Sequence, residues 1–494
     1  MPLQTPGVYI EEKNAFPNTV VPVATAIPVF IGYTEKATFN GKSLLYKPVR
    51  INSLSEYIQI FGHGIQPVFK QVAGSGTSAA NSFTVNGFTL QQDENTRLYF
   101  YNAIRFFYAN GGGECYILSI GIYGNNPAHT INTADFTGTT TTPTVFKILE
   151  KEPEPTIIVM PDIIAKGIEA YPVYQLALQH CATMQNRVAV FDIAQTSPEN
   201  LKSDLQTFRQ SMGNNYLKYG IAYAPFLNAT IASIAEINFT NLDAAIDLEN
   251  LLPEPPAKKI AAGIKAATLE QLQQNKLHLH QSLLACSPVY KKLIEEMLFV
   301  YNQLPPSGAI AGIFTASDNA RGVWKAPANV PISAAIAPTI EITTQQQESM
   351  NIDAVDGKSI NAIRSFPGAG TLVWGARTLD GNSMDWKYVN VVRTLIMIEQ
   401  SLKLAMQAYI FEPNNNNTWV TLKASVENFL VSLWKQGALC GNKPDEAFSV
   451  DIGAGITMTA DDIAENRMRI TIKTAIIRPA EFIVLTLQQK QQTQ

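Results

Sequence analysis

Two aspartates stand where an α/β enzyme keeps its chemistry. Asp162 follows the apolar run Thr156-Ile157-Ile158-Val159-Met160, and Asp192 follows Arg187-Val188-Ala189-Val190-Phe191. If these runs are parallel strands, both carboxylates sit at strand carboxyl ends, where a general base would act. The same position suits a carboxylate that caps a loop or helix. No His or Cys accompanies either aspartate at a telling spacing. The histidines, His63, His129, His180, His278 and His280, form no ligand set: His278 and His280 diverge on a helix, as do the adjacent His180 and Cys181. Cys115, Cys181, Cys286 and Cys440 lie far apart without C-x-x-C spacing and read as free thiols in a reducing compartment. Gly111-Gly112-Gly113 follows a helical stretch and opens a strand, the reverse of a phosphate loop, and no Gly-Lys-Ser/Thr follows. Gly368-Ala369-Gly370 also precedes a strand. Asp461-Asp462 and Glu11-Glu12 read as solvated charges, although the latter could set register against a basic partner. The residues therefore predict no catalytic group, no metal site and no cofactor.

The elements around the aspartates alternate in type. The two runs above and Gly220-Ile221-Ala222-Tyr223-Ala224-Pro225 read as strands, with helices at about 166–185 and 198–212 between them. Apolar strands with helical crossovers predict a parallel sheet covered on both faces. Upstream lie a strand at Pro28 to Tyr33 and a helix at Ser53 to Phe61, with Ser53 as N-cap and Glu56 in the capping-box position. A helix at Arg97 to Ala109 and a strand at Cys115 to Ile120 follow. Residues 66–96 read as an insertion with a mobile loop at Ala73 to Ser82, and Thr130 to Thr144 as a threonine-rich loop. A charged, Pro-rich stretch at Leu252 to Lys259 interrupts the alternation, and a long helix spans Ser287 to Gln303. Farther on come a strand at Thr371 to Gly375 and a helix at Asp385 to Phe411, where Tyr388, Val392, Leu395, Ile398, Leu402, Ala405 and Tyr409 recur every three or four residues. A second helix spans Trp419 to Gln436, and the last strands are Arg467 to Ile477 and Glu481 to Leu487.

The chain of 494 residues has 46% hydrophobic and 16% charged residues, a folded protein with an ample core. The low charge fits a surface covered by other subunits, or one solvated by Asn, Gln and Thr. A net charge of −4 without a basic patch argues against nucleic acid. Met1-Pro2-Leu3-Gln4 does not open a signal peptide, and the apolar stretch Val20 to Tyr33, broken by Pro22 and Pro28, is too short to span a membrane. Folding in the cytoplasm is expected. The termini carry the strongest clue. Gly7-Val8-Tyr9-Ile10 and Phe482-Ile483-Val484-Leu485-Thr486-Leu487 are short apolar strands flanked by segments poor at packing. Such strands need a sheet edge, and another copy can supply it.

Several runs, in order, resemble the contractile tail sheath proteins of phages and phage-tail-like injection systems. They are Pro6-Gly7-Val8-Tyr9-Ile10-Glu11-Glu12, Val29-Phe30-Ile31-Gly32-Tyr33-Thr34, Phe106-Phe107-Tyr108-Ala109-Asn110-Gly111-Gly112-Gly113-Glu114-Cys115-Tyr116 and Gly322-Val323-Trp324-Lys325-Ala326-Pro327-Ala328-Asn329. Then follow Asn361-Ala362-Ile363-Arg364, Phe366-Pro367-Gly368, Val373-Trp374-Gly375-Ala376-Arg377-Thr378, Trp386-Lys387-Tyr388-Val389-Asn390-Val391-Val392-Arg393, Phe411-Glu412-Pro413-Asn414 and Pro479-Ala480-Glu481-Phe482-Ile483. The likeness is close at both ends and diffuse between about 120 and 310.

The resemblance implies an α/β, overall mixed α+β, multi-domain subunit: an N-terminal arm at 1–25, a core part at 26–120, an outer α/β domain at 121–330, a C-terminal domain at 331–480 facing an inner tube, and an arm at 481–494. It implies that Val8, Tyr9 and Ile10, and Phe482, Ile483, Val484, Leu485 and Leu487, complete a sheet in neighbouring subunits. Its partners would be copies of itself, the inner tube, the baseplate and a tail-terminator or cap. The extended polymer would be metastable, with a small gain per subunit released on contraction and no nucleotide needed at firing. An α/β enzyme using Asp162 or Asp192 with an added oligomerisation domain, and a non-contractile capsid or tail component, are the competing expectations.

Overall fold

The computed structural model describes residues 20–72, 81–124, 126, 128–140, 142–353 and 355–482. These divide into a larger unit, 24–393 with 479–482, and a smaller one, 20–23 with 394–478.

In the larger unit the apolar runs become one nine-stranded sheet. Its strands are β1 (Pro28–Thr34), β2 (Val49–Ile51), β3 (Cys115–Ile122), β4 (Ile157–Val159), β5 (Val188–Asp192), β6 (Gly220–Ala224), β7 (Val330–Pro331), β8 (Asn361–Phe366) and β9 (Gly370–Val373), in the order β7-β9-β8-β6-β5-β4-β1-β3-β2. The six strands from β8 to β3 run parallel, and β2, β9 and β7 are antiparallel additions at the edges. Every residue of β1, β4, β5 and β6 is buried, as continuous apolar runs require in a sheet covered on both faces. The covering helices include α1 (Phe100–Ala109), α2 (Tyr171–Met184), α3 (Leu201–Ser211) and α4 (Ser307–Arg321). The last helices are α5 (Val389–Met406) and α6 (Asn416–Lys435).

From β1 the chain goes to β3 on one side, then to β4 on the other, and outward through β5, β6 and β8. The direction of travel thus reverses between β1 and β4, a topological switch point. α1 and α4 pack together beside the central strands. Their approach depends on Gly312, where a Cβ would lie 2.5 Å from the Phe107 carbonyl oxygen. The glycine run after α1 is a helix stop, with Gly111 at φ +86°.

Several expectations change. The sheet takes strands from 28–34 through 370–373, across the positions 120 and 330 at which domain limits were expected. The described part of the 66–96 insertion is a three-stranded sheet, Phe69–Gln71, Ser82–Val85 and Phe88–Gln92; most of the expected mobile loop, 73–80, lies outside the described residues. The sheet packs on helices Pro255–Ala266, Leu269–Cys286 and Pro288–Tyr301 through a core that includes Phe69, Leu90, Leu283, Tyr290 and Met297. Pro255 and Pro256 begin a helix rather than interrupt one, because proline is tolerated in a first turn whose N–H groups lack partners. The threonine-rich loop contains a helical turn, Thr133–Thr137, capped by Asn132. The helix expected from Asp385 starts only at Val389, because Trp386, Lys387 and Val389 are engaged with Ala376 and Thr378 through backbone and hydroxyl hydrogen bonds.

In the smaller unit α6 buries Leu422, Val426, Phe429 and Leu433 and packs on β10 (Phe448–Ile452), which pairs antiparallel with β11 (Ile470–Thr474).

Candidate functional site

Asp162 and Asp192 are both buried, and their oxygens are committed to backbone and hydroxyl donors. Asp162 Oδ1 accepts from the N–H groups of Tyr99 (2.7 Å) and Phe100 (2.8 Å), and Oδ2 from Tyr33 N–H (3.0 Å). Asp192 accepts from Ser307 N–H (2.9 Å) and Ser307 Oγ–H (2.6 Å). Each carboxylate therefore closes the positive end of a helix, α1 or α4, whose first N–H groups have no partner within the helix. Burial pushes the Asp162 carboxyl up to about 6, against its backbone donors, and Asp192 to about 7, against its bonds to Ser307. A cleft of about 540 Å³ beyond the strand ends is lined by Arg97, Tyr99, Gln195, Thr196, Phe226 and Thr339, among others; neither aspartate lines it. The switch-point position that holds ligand in α/β enzymes is here occupied by helix caps.

Two of the histidines, His180 and His280, are likewise held in the core. His180 packs beside the fully buried Arg187 (Nη1 to Nε2 3.3 Å), and burial, then the guanidinium charge, lowers it to about 4. His280 Nδ1 meets Tyr290 Oη at 2.9 Å. Among the described residues no three His, Cys, Asp or Glu side chains gather as metal ligands, and the cysteines are free.

What the smaller unit offers is a small sheet. β10 and β11 form a two-stranded sheet among the described residues. Ala475 N–H bonds to Ala447 O (2.8 Å), and by antiparallel alternation the backbone groups of 449 and 451 face 473 and 471. Those of 448, 450 and 452 then face one outer edge, and those of 470, 472 and 474 the other. The two faces also differ. Val450 pairs with Ile472 and Ile452 with Ile470 on the side where Val450 and Ile452 are buried, while Thr471 and Lys473 on the opposite side are exposed. A two-stranded ribbon is marginal alone, and more strands would complete it.

The residues Val8, Tyr9, Ile10, Ile483, Val484, Leu485 and Leu487 lie outside the described residues. Phe482 is described, is 74% exposed, and belongs to no strand of its own subunit. Just before it, the Glu481 carboxylate is held by Arg377, whose Nε donates to Oε1 (2.9 Å) and Nη2 to Oε2, and by Tyr388 Oη (3.1 Å). At the other end of the larger unit, Thr25 O accepts from Arg393 Nη2 (2.9 Å), and Arg393 pairs with Asp318 (2.6 Å). The sequence reading assigned these four charged residues no role. Their partners are 104 and 75 positions apart, so no local spacing reveals them.

An α/β unit with helix caps at its strand ends is joined in sequence to a two-stranded sheet that has no further strand among the described residues, the arrangement of a multi-domain subunit. Residues 172–379 match the phage tail sheath protein central domain and residues 382–490 the phage tail sheath C-terminal domain, together well over half of the chain. No curated relative matches. Among solved structures the chain is similar to the sheath complex of an extracellular contractile injection system, PVC, in the contracted state, at 26% identity over 99% of both chains, TM-score 0.63. It is also similar to the helical sheath of the anti-feeding prophage in the contracted state (26% identity, 99% of this chain and 100% of that one, TM-score 0.61) and to a chain of that particle's contracted baseplate (25%, 98% of both, TM-score 0.65). The chain belongs to the phage tail sheath family. It is a structural subunit of a contractile sheath.

Proposed function

We propose that this subunit polymerises as a helical stack of rings around an inner tube by exchanging its terminal strands, and contracts from a metastable extended state to drive the tube through a target envelope. The observation that carries this reading is the β10–β11 sheet, which among the described residues has no strand on either outer edge and has one apolar face. Strands 7–10 and 482–487, each from a neighbour, would extend it to four strands. The apolar face fixes the parity of the incoming strands, since alternate residues point to opposite faces. Val8 and Ile10, and Ile483, Leu485 and Leu487, would face α6, with Tyr9, Val484 and Thr486 outward. The arms would then be tethers that persist while the bodies between them repack.

The reading extends to the surroundings. Helices α5 and α6 would face the inner tube; the turn between them leaves Ile410 and Phe411 exposed. Baseplate and cap proteins would bound the polymer, with the arm, outer and tube-facing regions as expected from the sequence. Assembly would take place in the cytoplasm, and the product would be a phage-tail-like particle. Among the described residues no helix is long and apolar enough to cross a membrane. The work would be done by lattice rearrangement, not enzymatic turnover. Deleting residues 1–12 tests the exchange: the expected product is a folded, soluble subunit that does not polymerise. Wild-type polymer from that deletion would refute the role of the N-terminal arm.

A further inference from the structure

The larger unit holds its two ends alike. At one, the Arg393 guanidinium grips both oxygens of Asp318, donates to Thr25 O, and lies 4.6 Å from the centre of the Phe314 ring. Thr25 Oγ1 donates to Asp318 Oδ2 (2.5 Å). At the other, Arg377 makes a two-pronged contact with Glu481, and its Nη1 donates to Asn351 O (2.9 Å). The Arg377 side chain is 4% exposed and that of Arg393 3%. Both arginines belong to one stretch, 376–393, which is stitched to itself: Val389 N–H to Ala376 O (3.0 Å), Thr378 N–H to Lys387 O (2.8 Å) and Thr378 Oγ1 to Trp386 O (2.7 Å).

We propose that the 376–393 stretch is a common anchor for both terminal arms, and that Glu481 is the residue that hooks the C-terminal arm to it. The inference rests on the strand-exchange reading above. Phe482, directly after the clamp, is 74% exposed, as a chain leaving the body there would be. The clamp therefore fixes the point of exit. A planar guanidinium holding both carboxylate oxygens resists displacement in direction as well as distance. A neighbour pulling on the strand beyond 482 would pull on Arg377, and one pulling on the N-terminal arm would load Arg393 through Thr25. Both forces enter the same stitched stretch, so the rigid body follows its arms without first unravelling at its ends.

The test uses the full chain assembled on its inner tube, as wild type, Glu481→Gln and Tyr388→Phe, with a truncation after residue 481 in parallel. Sheaths are triggered to contract and their lengths measured by electron microscopy; free subunits are melted separately. Glu481→Gln is expected to fold, melting lower than wild type because the buried Arg377 loses its counter-charge, and to assemble, but to break on contraction, with mean length reduced at least about twofold. Intact Glu481→Gln sheaths of wild-type length overturn the anchor. If Glu481→Gln does not assemble at all, Tyr388→Phe decides: partial fragmentation supports the anchor, and wild-type behaviour overturns it. The truncation separates the two ideas. A truncated chain that polymerises normally refutes strand exchange by the C-terminal arm, whereas a truncated chain that does not, beside unaffected Glu481→Gln sheaths, refutes the anchor alone.

Discussion

Replacing Asp192 by asparagine distinguishes a helix cap from a catalyst, and the expected magnitude follows from its burial. The carboxyl is 1% exposed and is raised from 3.8 to about 7 by desolvation. A group whose folded pKa is raised keeps its proton in the folded state after the unfolded chain has lost it. Its contribution is therefore fully present below about pH 4 and is lost progressively up to about pH 7. At 1.36 kcal/mol per pKa unit, that loss is about 4 kcal/mol. Asparagine has no charge to desolvate and fits the same bonds: its oxygen can accept from Ser307 N–H, and its amide can donate to Ser307 Oγ. The difference in unfolding free energy, Asp192→Asn minus wild type, should grow by about 4 kcal/mol between pH 4 and pH 8 in favour of the variant. Urea unfolding of the dilute, unpolymerised subunit at several pH values measures it. A difference that stays flat with pH refutes the reasoning, and a variant that folds but cannot assemble or contract refutes the purely structural role.

Asp162→Asn sets two effects against each other: an amide can receive only the N–H donors at its oxygen, a loss of about 1–3 kcal/mol, but it also removes a charge that burial disfavours, so its deficit in the same assay should be largest near pH 4 and shrink by about 3 kcal/mol toward pH 8. Gly312→Val should lower the subunit's stability by about 1–3 kcal/mol in thermal or urea melts, since its side chain would meet the Phe107 carbonyl where α1 and α4 cross. For the C-terminal arm, Ile483→Asp and Leu485→Asp should abolish polymer in electron micrographs and Val484→Asp should spare it; equal effects at all three positions would contradict the parity argument.

The α/β class was legible because β4, β5 and β6 are written as short, uninterrupted apolar runs between helical stretches, and burial on both faces demands such runs. Local caps were legible too: Ser53 accepts from Glu56 N–H as its spacing suggests, although the Glu56 carboxylate reaches the N–H of Asn52. The position of Asp162 and Asp192 at strand ends could be read, but not what they bind. Their donors lie 62 to 129 residues away, and only the folded sheet brings Tyr33, Phe100 and Ser307 to them. The helices at 255–286 were hidden because few of their positions are buried, which leaves a weak apolar stripe, and because two prolines at the start read as a break. Both arginine clamps were invisible for the reason that hid the donors of Asp162.

The outer edges of β10 and β11, which have no further strand among the described residues, also bear on where growth begins. A ribbon that offers hydrogen-bonding groups along both borders is open to any extended segment, including the wrong one, and the risk rises with concentration. The exposed Lys473 puts charge beside one border, but side chains cannot hide the backbone itself. If copies join through these borders, as proposed, orderly polymerisation would call for a seed that presents the first correct strands, with addition to that seed outrunning chance encounters between free copies. On the strand-exchange proposal, the same incompleteness that would let subunits interlock would make an unseeded pool prone to tangling.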